Sequence, residues 1–289
     1  MFINAVVIVL QEILEAALML SLLLALLRHF NESVSLTGYF RPLFLEQRWA
    51  VYSIVLGFVC SWLYSDNLGK ISESFDYVGL EVMNAMIHSL SCIFLVAIAW
   101  LFPVSGEGSN EIGGVISSSI RTGSLALSMV LVVTLAILRE GSEIIQFAGG
   151  VLGQHQSGLS VLYGGLVGAG IGVSTGVLLY FGLSGLAAPW SLRACTLLLA
   201  LTAGNMAAQA VLQLVQADWL PYTAIAWDSG ALLDEASVLG QLSFALIGYE
   251  STPSWLQVIA YAVGVVAVGL SASTRFAWRI DRSPKLRMV

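Results

Sequence analysis

Charged residues are scarce in this chain. They make up 10% of its 289 residues, whereas soluble domains carry about 25%. Hydrophobic residues account for 57% of the chain, and the mean hydropathy is +0.86. This balance excludes a soluble domain of useful size and predicts an all-α integral membrane protein with several spans.

Several chemical motifs are also missing. The three cysteines, Cys60, Cys92 and Cys195, lie far apart in apolar segments and without metal-ligand or redox spacing, which favours small core residues. The sequence has no phosphate-binding glycine motif, no nucleophile elbow and no pair of histidines placed to ligate haem. We therefore expect no enzyme, no ATP-driven transport within this chain and no permanently bound cofactor. The N-terminus lacks a basic region, so we expect no cleaved secretory signal.

Long apolar runs dominate what is present. A helix needs about 20 apolar residues to cross the hydrocarbon core. The predicted spans are residues 3–27, 49–66, 82–102, 124–152, 159–183, 192–215 and 255–273.

The charges between the spans predict an orientation. The first, third and fifth loops and the tail carry arginine, while the second and sixth loops are acidic and the fourth holds only His155. By the positive-inside rule the N-terminus lies outside and the C-terminus inside. We expect a multi-pass protein of the inner or plasma membrane.

The same orientation predicts an internal repeat. Helices 1–3 and 4–6 would form a 3+3 inverted-topology repeat within one membrane domain, and helix 7 would be additional. Repeat 1 spans about residues 1–104, repeat 2 about 121–216 and the last helix about 254–273, before a basic cytoplasmic tail at 274–289.

Two acidic motifs interrupt the apolar runs. Glu12 and Glu15 lie in the first span, and Glu140 and Glu143 lie in the fourth. Residues three apart share a helix face, and charges inside a bilayer cost about 2.5–3.5 kcal/mol each on insertion scales. Four carboxylates at one depth need a bound cation or shared protons, and oxygen ligands suit hard cations. We predict a metal site formed by these four residues.

Other polar residues are placed to support this site. Gln11 and Arg139 precede the two motifs, and only Arg139 supplies a charge. Glu81, Asn84 and His88 share one face of the third span and could extend an ion path, although His88 alone is also typical of a satisfied interior histidine.

Two further polar sets remain open to two interpretations. The stripe of Asn205, Gln209 and Gln213 in the sixth span fits either an ion path or interhelical hydrogen bonding. The acidic sixth loop fits either cation focusing at the outer mouth or ordinary solvated charge. Its candidate residues are Asp228, Asp234 and Glu235.

The motifs resemble those of a known family. The fourth span reads REGSE at residues 139–143, and the first reads QEILEAALML at 11–20. Together with the block at 227–264, they resemble the oxidase-dependent ferric iron permeases, which include the bacterial EfeU-type and yeast high-affinity permeases. That family typically reads REGLEAAL in its first span, where Gln11 replaces its arginine.

The resemblance implies seven helices, an outer N-terminus and import of Fe³⁺ as substrate. It also implies an extracytoplasmic iron-oxidising partner, and it assigns transport to Glu12, Glu15, Glu140 and Glu143, with Arg139 as the motif arginine. Two alternatives stay open: a transporter of another cation such as Pb²⁺, Mn²⁺ or Fe²⁺, and a non-transporting membrane protein for metal sensing or assembly.

Overall fold

The computed structural model describes residues 2–33, 48–102, 112–152, 158–235 and 237–281. In these segments the chain forms eight helices and no strand beyond one isolated bridge. They are α1 (Phe2–Ser33), α2 (Arg48–Ser74), α3 (Gly79–Leu101), α4 (Ile112–Leu152), α5 (Gly158–Gly185), α6 (Ala188–Gln216), α7 (Val238–Ile247) and α8 (Trp255–Asp281).

Six of these helices contain a stretch that is long and apolar enough to cross a membrane, as far as the described residues go. The stretches are Phe2–Arg28, Gly79–Leu101, Arg121–Val151, Gly158–Gly185, Trp190–Gln216 and Trp255–Ser273. The chain is thus a multi-pass helical membrane protein. The second predicted span, residues 49–66, lies within α2, which is longer but less apolar because its last third carries Asp66, Lys70 and Glu73.

Helix α1 packs closely against α5 along a row of glycines. Gly164, Gly168, Gly172 and Gly176 recur every four residues and so lie on one face of α5. A Cβ atom added at Gly164 would lie 2.5 Å from the carbonyl oxygen of Phe2. The two backbones therefore touch, as small residues allow in membrane helices.

Helix α2 packs against α4 in a matching way. Its contact face carries Ser53, Gly57 and Ser61, again four residues apart. A Cβ at Gly57 would lie 2.6 Å from the Cβ of Ile137. The packing of α4 on α2 thus repeats that of α1 on α5, with serine taking some of the glycine positions.

The middle of the bundle is formed by α3 and α6, which pack on each other. The buried core joins α1, α3, α4 and α6 through large side chains such as Leu23, Leu95 and Met129. Cys195 belongs to this core, as the sequence predicts, while Cys60 and Cys92 are partly buried, and all three thiols are free. Helix α8 packs on α6, where Gly264 lies against the backbone of Ala203 and Gly204.

The segment between α6 and α8 contains a helix that the sequence did not predict. Helix α7 begins after Ser237, whose hydroxyl accepts a hydrogen bond from the Gly240 N–H, and ends at Gly248 with φ +68°. It contacts α1 as well as α6. The Tyr261 hydroxyl donates to the Ile247 carbonyl at 2.6 Å and so fixes the end of α7 to α8.

Some predicted boundaries differ from the structure. Helix α4 begins at Ile112 rather than near residue 124, and α8 continues to Asp281, past the predicted end at 273. Both extensions are helical although their sequences are polar or rich in small residues, which had indicated a loop and a tail. Residues 34–47, which make up most of the predicted first loop, and residues 282–289, the last part of the tail, lie outside the described residues.

The glycine row gives a testable prediction for stability. Gly168→Ala should destabilise the protein by about 1–3 kcal/mol through overpacking, because the new Cβ would collide with the Val6 carbonyl and lie 2.9 Å from the Leu10 nitrogen. Gly170→Ala is the matched control, since no atom lies within 4 Å of its new Cβ. Thermal unfolding of the purified variants in one detergent measures the difference. Equal unfolding temperatures for the two variants would contradict the contact.

Candidate metal site

Three carboxylates from the two predicted motifs meet between α1 and α4. One oxygen each from Glu12, Glu140 and Glu143 can be chosen so that all three lie within 4.8 Å of one another. Glu12 and Glu140 are buried, at 5% and 4% exposure, whereas the Glu143 side chain is 40% exposed. The group thus has a closed side and an open side, and it has the oxygen chemistry that a hard cation requires.

Arg139 joins the fourth glutamate to this group. Its Nη2 lies 3.4 Å from Glu15 Oε2 and 3.3 Å from Glu140 Oε2. Its Nε donates to Glu143 Oε1 at 3.3 Å. A single guanidinium therefore pairs with three carboxylates from two helices, which the fork geometry of arginine permits.

His88 on α3 holds the remaining arm of Arg139. His88 Nδ1 lies 2.8 Å from the Asn84 carbonyl oxygen, which can only accept, so Nδ1 carries the hydrogen. Nε2 then has a free lone pair and accepts from Arg139 Nη1 at 2.9 Å. This arrangement requires a neutral imidazole. His88, only 2% exposed, contacts the arginine of the site, while Asn84 takes part through its backbone.

The balance of charge in the site is negative. Four carboxylates face one guanidinium, which leaves a formal charge of −3 if all are ionised. Glu12 Oε2 and Glu15 Oε1 are buried and have no hydrogen-bond partner among the described residues. Such atoms are costly in a medium of low dielectric constant. A cation or protons at the site would remove that cost.

The backbone of each motif is set by a close neighbour. The Ser61 hydroxyl on α2 lies 2.8 Å from the carbonyl oxygen of Ile137, two residues before Arg139. A Cβ at Gly141 would lie 2.5 Å from Ser61 Oγ, so the second motif needs glycine there. In the first motif the equivalent position is Ile13, and its bulk is accommodated by Gly172 on α5, where a Cβ would lie 3.0 Å from Ile13 Cγ2.

On the side of Glu143, the site continues to a residue that the sequence did not single out. Tyr64 on α2 lies close to Glu143 and Glu81 and is 6% exposed, and its hydroxyl is buried without a hydrogen-bond partner among the described residues. Glu81, in the first turn of α3, has a buried Oε2 with no hydrogen-bond partner in the described parts of the chain. The sequence around Tyr64 is apolar and does not indicate that this tyrosine lies beside acidic residues.

The carboxylates of the acidic segment after α6 accept hydrogen bonds from their own segment and from the start of α8. Asp228 Oδ1 accepts from the Gly230 N–H at 3.0 Å, and Glu235 Oε1 accepts from the Ser251 N–H. The Gln257 amide donates to Glu250 at 2.7 Å, and burial raises the pKa of Glu250. Several of these carboxylates thus stabilise the fold of their own segment, and their predicted role in collecting cations stays a prediction.

The remaining predicted residues are placed as follows. Gln11 is partly buried and precedes Glu12 on α1. Asn205 and Gln209 are buried on α6, where Gly248 at the end of α7 lies against the Asn205 side chain. Asp234 lies in the segment after α6 and its backbone carbonyl accepts from the Ser237 hydroxyl.

Comparison with known proteins gives relatives along most of the chain. Proteins named "Ferrous iron permease EfeU" from Escherichia coli O157:H7 and Shigella sonnei (strain Ss046) are each 25% identical over 261 residues, covering 90% of this chain and 91% of theirs. A relative from Escherichia coli (strain K12), with the same identity and coverage, has "inactive ferrous iron permease" in its name. No solved structure gives a significant match.

The family assignment comes from a match over nearly the whole sequence. The pattern of the iron permease FTR1 family matches residues 2–275 and so includes all four glutamates, Arg139 and His88. This confirms the resemblance drawn from the two motifs: the chain belongs to the iron permease FTR1 family.

Proposed function

We propose that this protein is a permease of the inner membrane that carries Fe³⁺ inward through Glu12, Glu15, Glu140 and Glu143. Membership of an iron permease family supports iron transport. The observation that carries the finer proposal is the meeting of Glu12, Glu140 and Glu143 within 4.8 Å. Carboxylates of this kind inside a membrane bundle are expected to mark an ion path.

The proposed topology has seven spans, an outer N-terminus and an inverted repeat. The packing supports it, because exchanging α1–α3 for α4–α6 leaves the main helix contacts unchanged: α1 on α5, α4 on α2, and α3 on α6. Helix α2 counts as the seventh span because Val51, Val55, Phe58 and Trp62 form an exposed apolar stripe along it. Such a stripe is typical of a surface that faces lipid.

The charge of the site favours a trivalent ion. Four carboxylates and Arg139 carry a formal charge of −3, which one Fe³⁺ would neutralise. Hard oxygen ligands also suit Fe³⁺. A second candidate is Fe²⁺, which the names of the relatives state as their substrate; with Fe²⁺ one further proton would complete the balance.

In the proposed mechanism, Arg139 acts as the counter-charge of the empty site. The cation enters past Glu143, which is the exposed member of the group. It then competes with the guanidinium for Glu140 and Glu143, and His88 keeps one arm of Arg139 in place. Once the ion leaves, the arginine pairs again with the carboxylates and limits their mutual repulsion.

The proposal also includes a partner on the outer side. Fe³⁺ is poorly available unless Fe²⁺ is oxidised nearby, and the family resemblance implies an extracytoplasmic iron-oxidising protein. The acidic segment with Asp228, Asp234 and Glu235 would face that partner and concentrate cations near the entrance.

Glu140→Gln tests the site directly. The amide keeps the shape of the side chain but removes its charge, so uptake of radiolabelled iron into proteoliposomes should fall by more than about 100-fold, beyond the loss typical of residues outside the ligand shell. Glu73→Gln is the matched control, because Glu73 is exposed at the end of α2. Native rates in a folded Glu140→Gln protein would contradict the proposed site.

His88 gives a second test. His88→Leu should raise the iron KM by about 10- to 100-fold, because Arg139 loses an acceptor and shifts among the carboxylates. His88→Gln retains an acceptor and a donor, so it should restore most of the native KM. If the two variants have the same KM and differ only in protein yield, His88 fills space and does not position Arg139.

Gln11 gives a test of ion choice. Gln11→Arg adds a positive charge to the first motif and should shift the ratio of ferric citrate uptake to ferrous ascorbate uptake toward Fe²⁺ by at least about tenfold, equivalent to 1.4 kcal/mol. Gln11→Leu, which adds no charge, should leave the ratio near its native value. An unchanged ratio in Gln11→Arg would show that the net charge of the site does not select the ion.

A further inference from the structure

A second polar position adjoins the glutamate group and shares Glu15 with it. Glu15 lies three residues past Glu12 on α1, and only one of its oxygens pairs with Arg139. Its other oxygen, Oε1, is buried without a hydrogen-bond partner among the residues described. Asn205 on α6 is 4% exposed, and its Oδ1 is likewise buried and unpartnered in that part of the chain.

Both residues line the same cavity. It lies between α1, α5, α6 and α7, with about 30 Å³ of space for water, which is enough for one or two water-sized occupants. The polar residues of its lining are Glu15, Thr202 and Asn205, and Met19 and Met206 also belong to the lining. The Thr202 hydroxyl already donates to the Leu198 carbonyl, so Glu15 and Asn205 supply the unused oxygens.

The cavity shares Glu15 with the glutamate site. A second, smaller cavity beside Arg139, Glu140 and His88 also includes Glu15, Met19 and Met206 in its lining. From Glu15 the first cavity follows α1 to Leu22, about 10 Å along the helix axis. With the N-terminus outside, this direction leads toward the inner face.

Helix α7 closes this cavity. Ala245 and Leu246 form part of its wall. The next turn ends at Gly248, where an added Cβ would lie 2.7 Å from the Asn205 Cβ. Asn205 therefore lies between the cavity and the end of α7. An occupant of the cavity would contact Asn205 and α7 at the same time.

We infer that Glu15 and Asn205 form a second cation position, which receives the ion after the four-glutamate site. This inference rests on the proposed function. One carboxylate and one amide oxygen provide less negative charge than the first site, so the ion is held more weakly there. A weaker position after a strong one favours transport, because the ion must be bound weakly enough at the end of its path to leave.

Asn205→Leu and Asn205→Asp test the inference in purified protein. Iron supplied as ferric citrate is measured by uptake into proteoliposomes and by equilibrium binding to the protein in detergent. Asn205→Leu removes the amide oxygen and should lower the maximal uptake rate about tenfold, while binding at the first site keeps its native affinity. Asn205→Asp adds a charge at constant shape and should raise the number of tightly bound ions from one to two per chain.

The control is Gln209→Leu, one turn along α6, because Gln209 is also buried but is not in the lining of the cavity. It should transport at the native rate. Native uptake in Asn205→Leu, or one tightly bound ion in Asn205→Asp, would overturn the second position. If Glu140→Gln still abolishes uptake in the same experiment, the proposed function stands and only this inference fails. If Glu140→Gln transports normally, the proposed function itself fails.

Discussion

The central interaction of this protein is the pairing of one buried guanidinium with carboxylates from two helices. Arg139 contacts Glu15, Glu140 and Glu143 at 3.3–3.4 Å and donates to His88 at 2.9 Å. Inside a membrane none of these charges could remain without the others. The arrangement of α1, α3 and α4 therefore depends on keeping these groups in contact, and the apolar packing around them holds the three helices at the required distance.

Close packing of small residues is what allows the contact. On one side of the bundle the glycine row of α5 lets α1 approach backbone to backbone, and on the other Gly57 and Ser61 do the same for α2 and α4. The residues inside the two motifs match these neighbours: Gly141 faces Ser61, and Ile13 faces Gly172. The motifs thus combine charged residues for the site with a residue of the right size for the adjacent helix.

The sequence predicted the grouping of the acidic residues better than it predicted their surroundings. The spacing of Glu12 and Glu15, and of Glu140 and Glu143, placed each pair on one helix face, and that periodicity is a local property. The contact between Arg139 and His88 joins residues 51 positions apart, and no local pattern indicates it. Helix α7 was missed because its ten residues are too few for a span, and its helical state depends on packing against α1 and α6. The extension of α4 to Ile112 was missed because glycine and serine in that stretch favour a loop.

The two motif helices are attached to the rest of the bundle in different ways. The Ser61 hydroxyl of α2 donates a hydrogen bond to the Ile137 carbonyl oxygen of α4 at 2.8 Å, which fixes the register of these two helices. Along α5, by contrast, Gly164 and Gly168 present bare backbone to α1. Further along α5, the side chains of Ile13 and Ala17 on α1 lie over Gly172 and Gly176, which fixes the register of the two helices. The height of Glu12 and Glu15 in the bundle is therefore set by the fit of α1 against α5, whereas the height of Arg139 is set by a hydrogen bond from α2 to the backbone of its own helix.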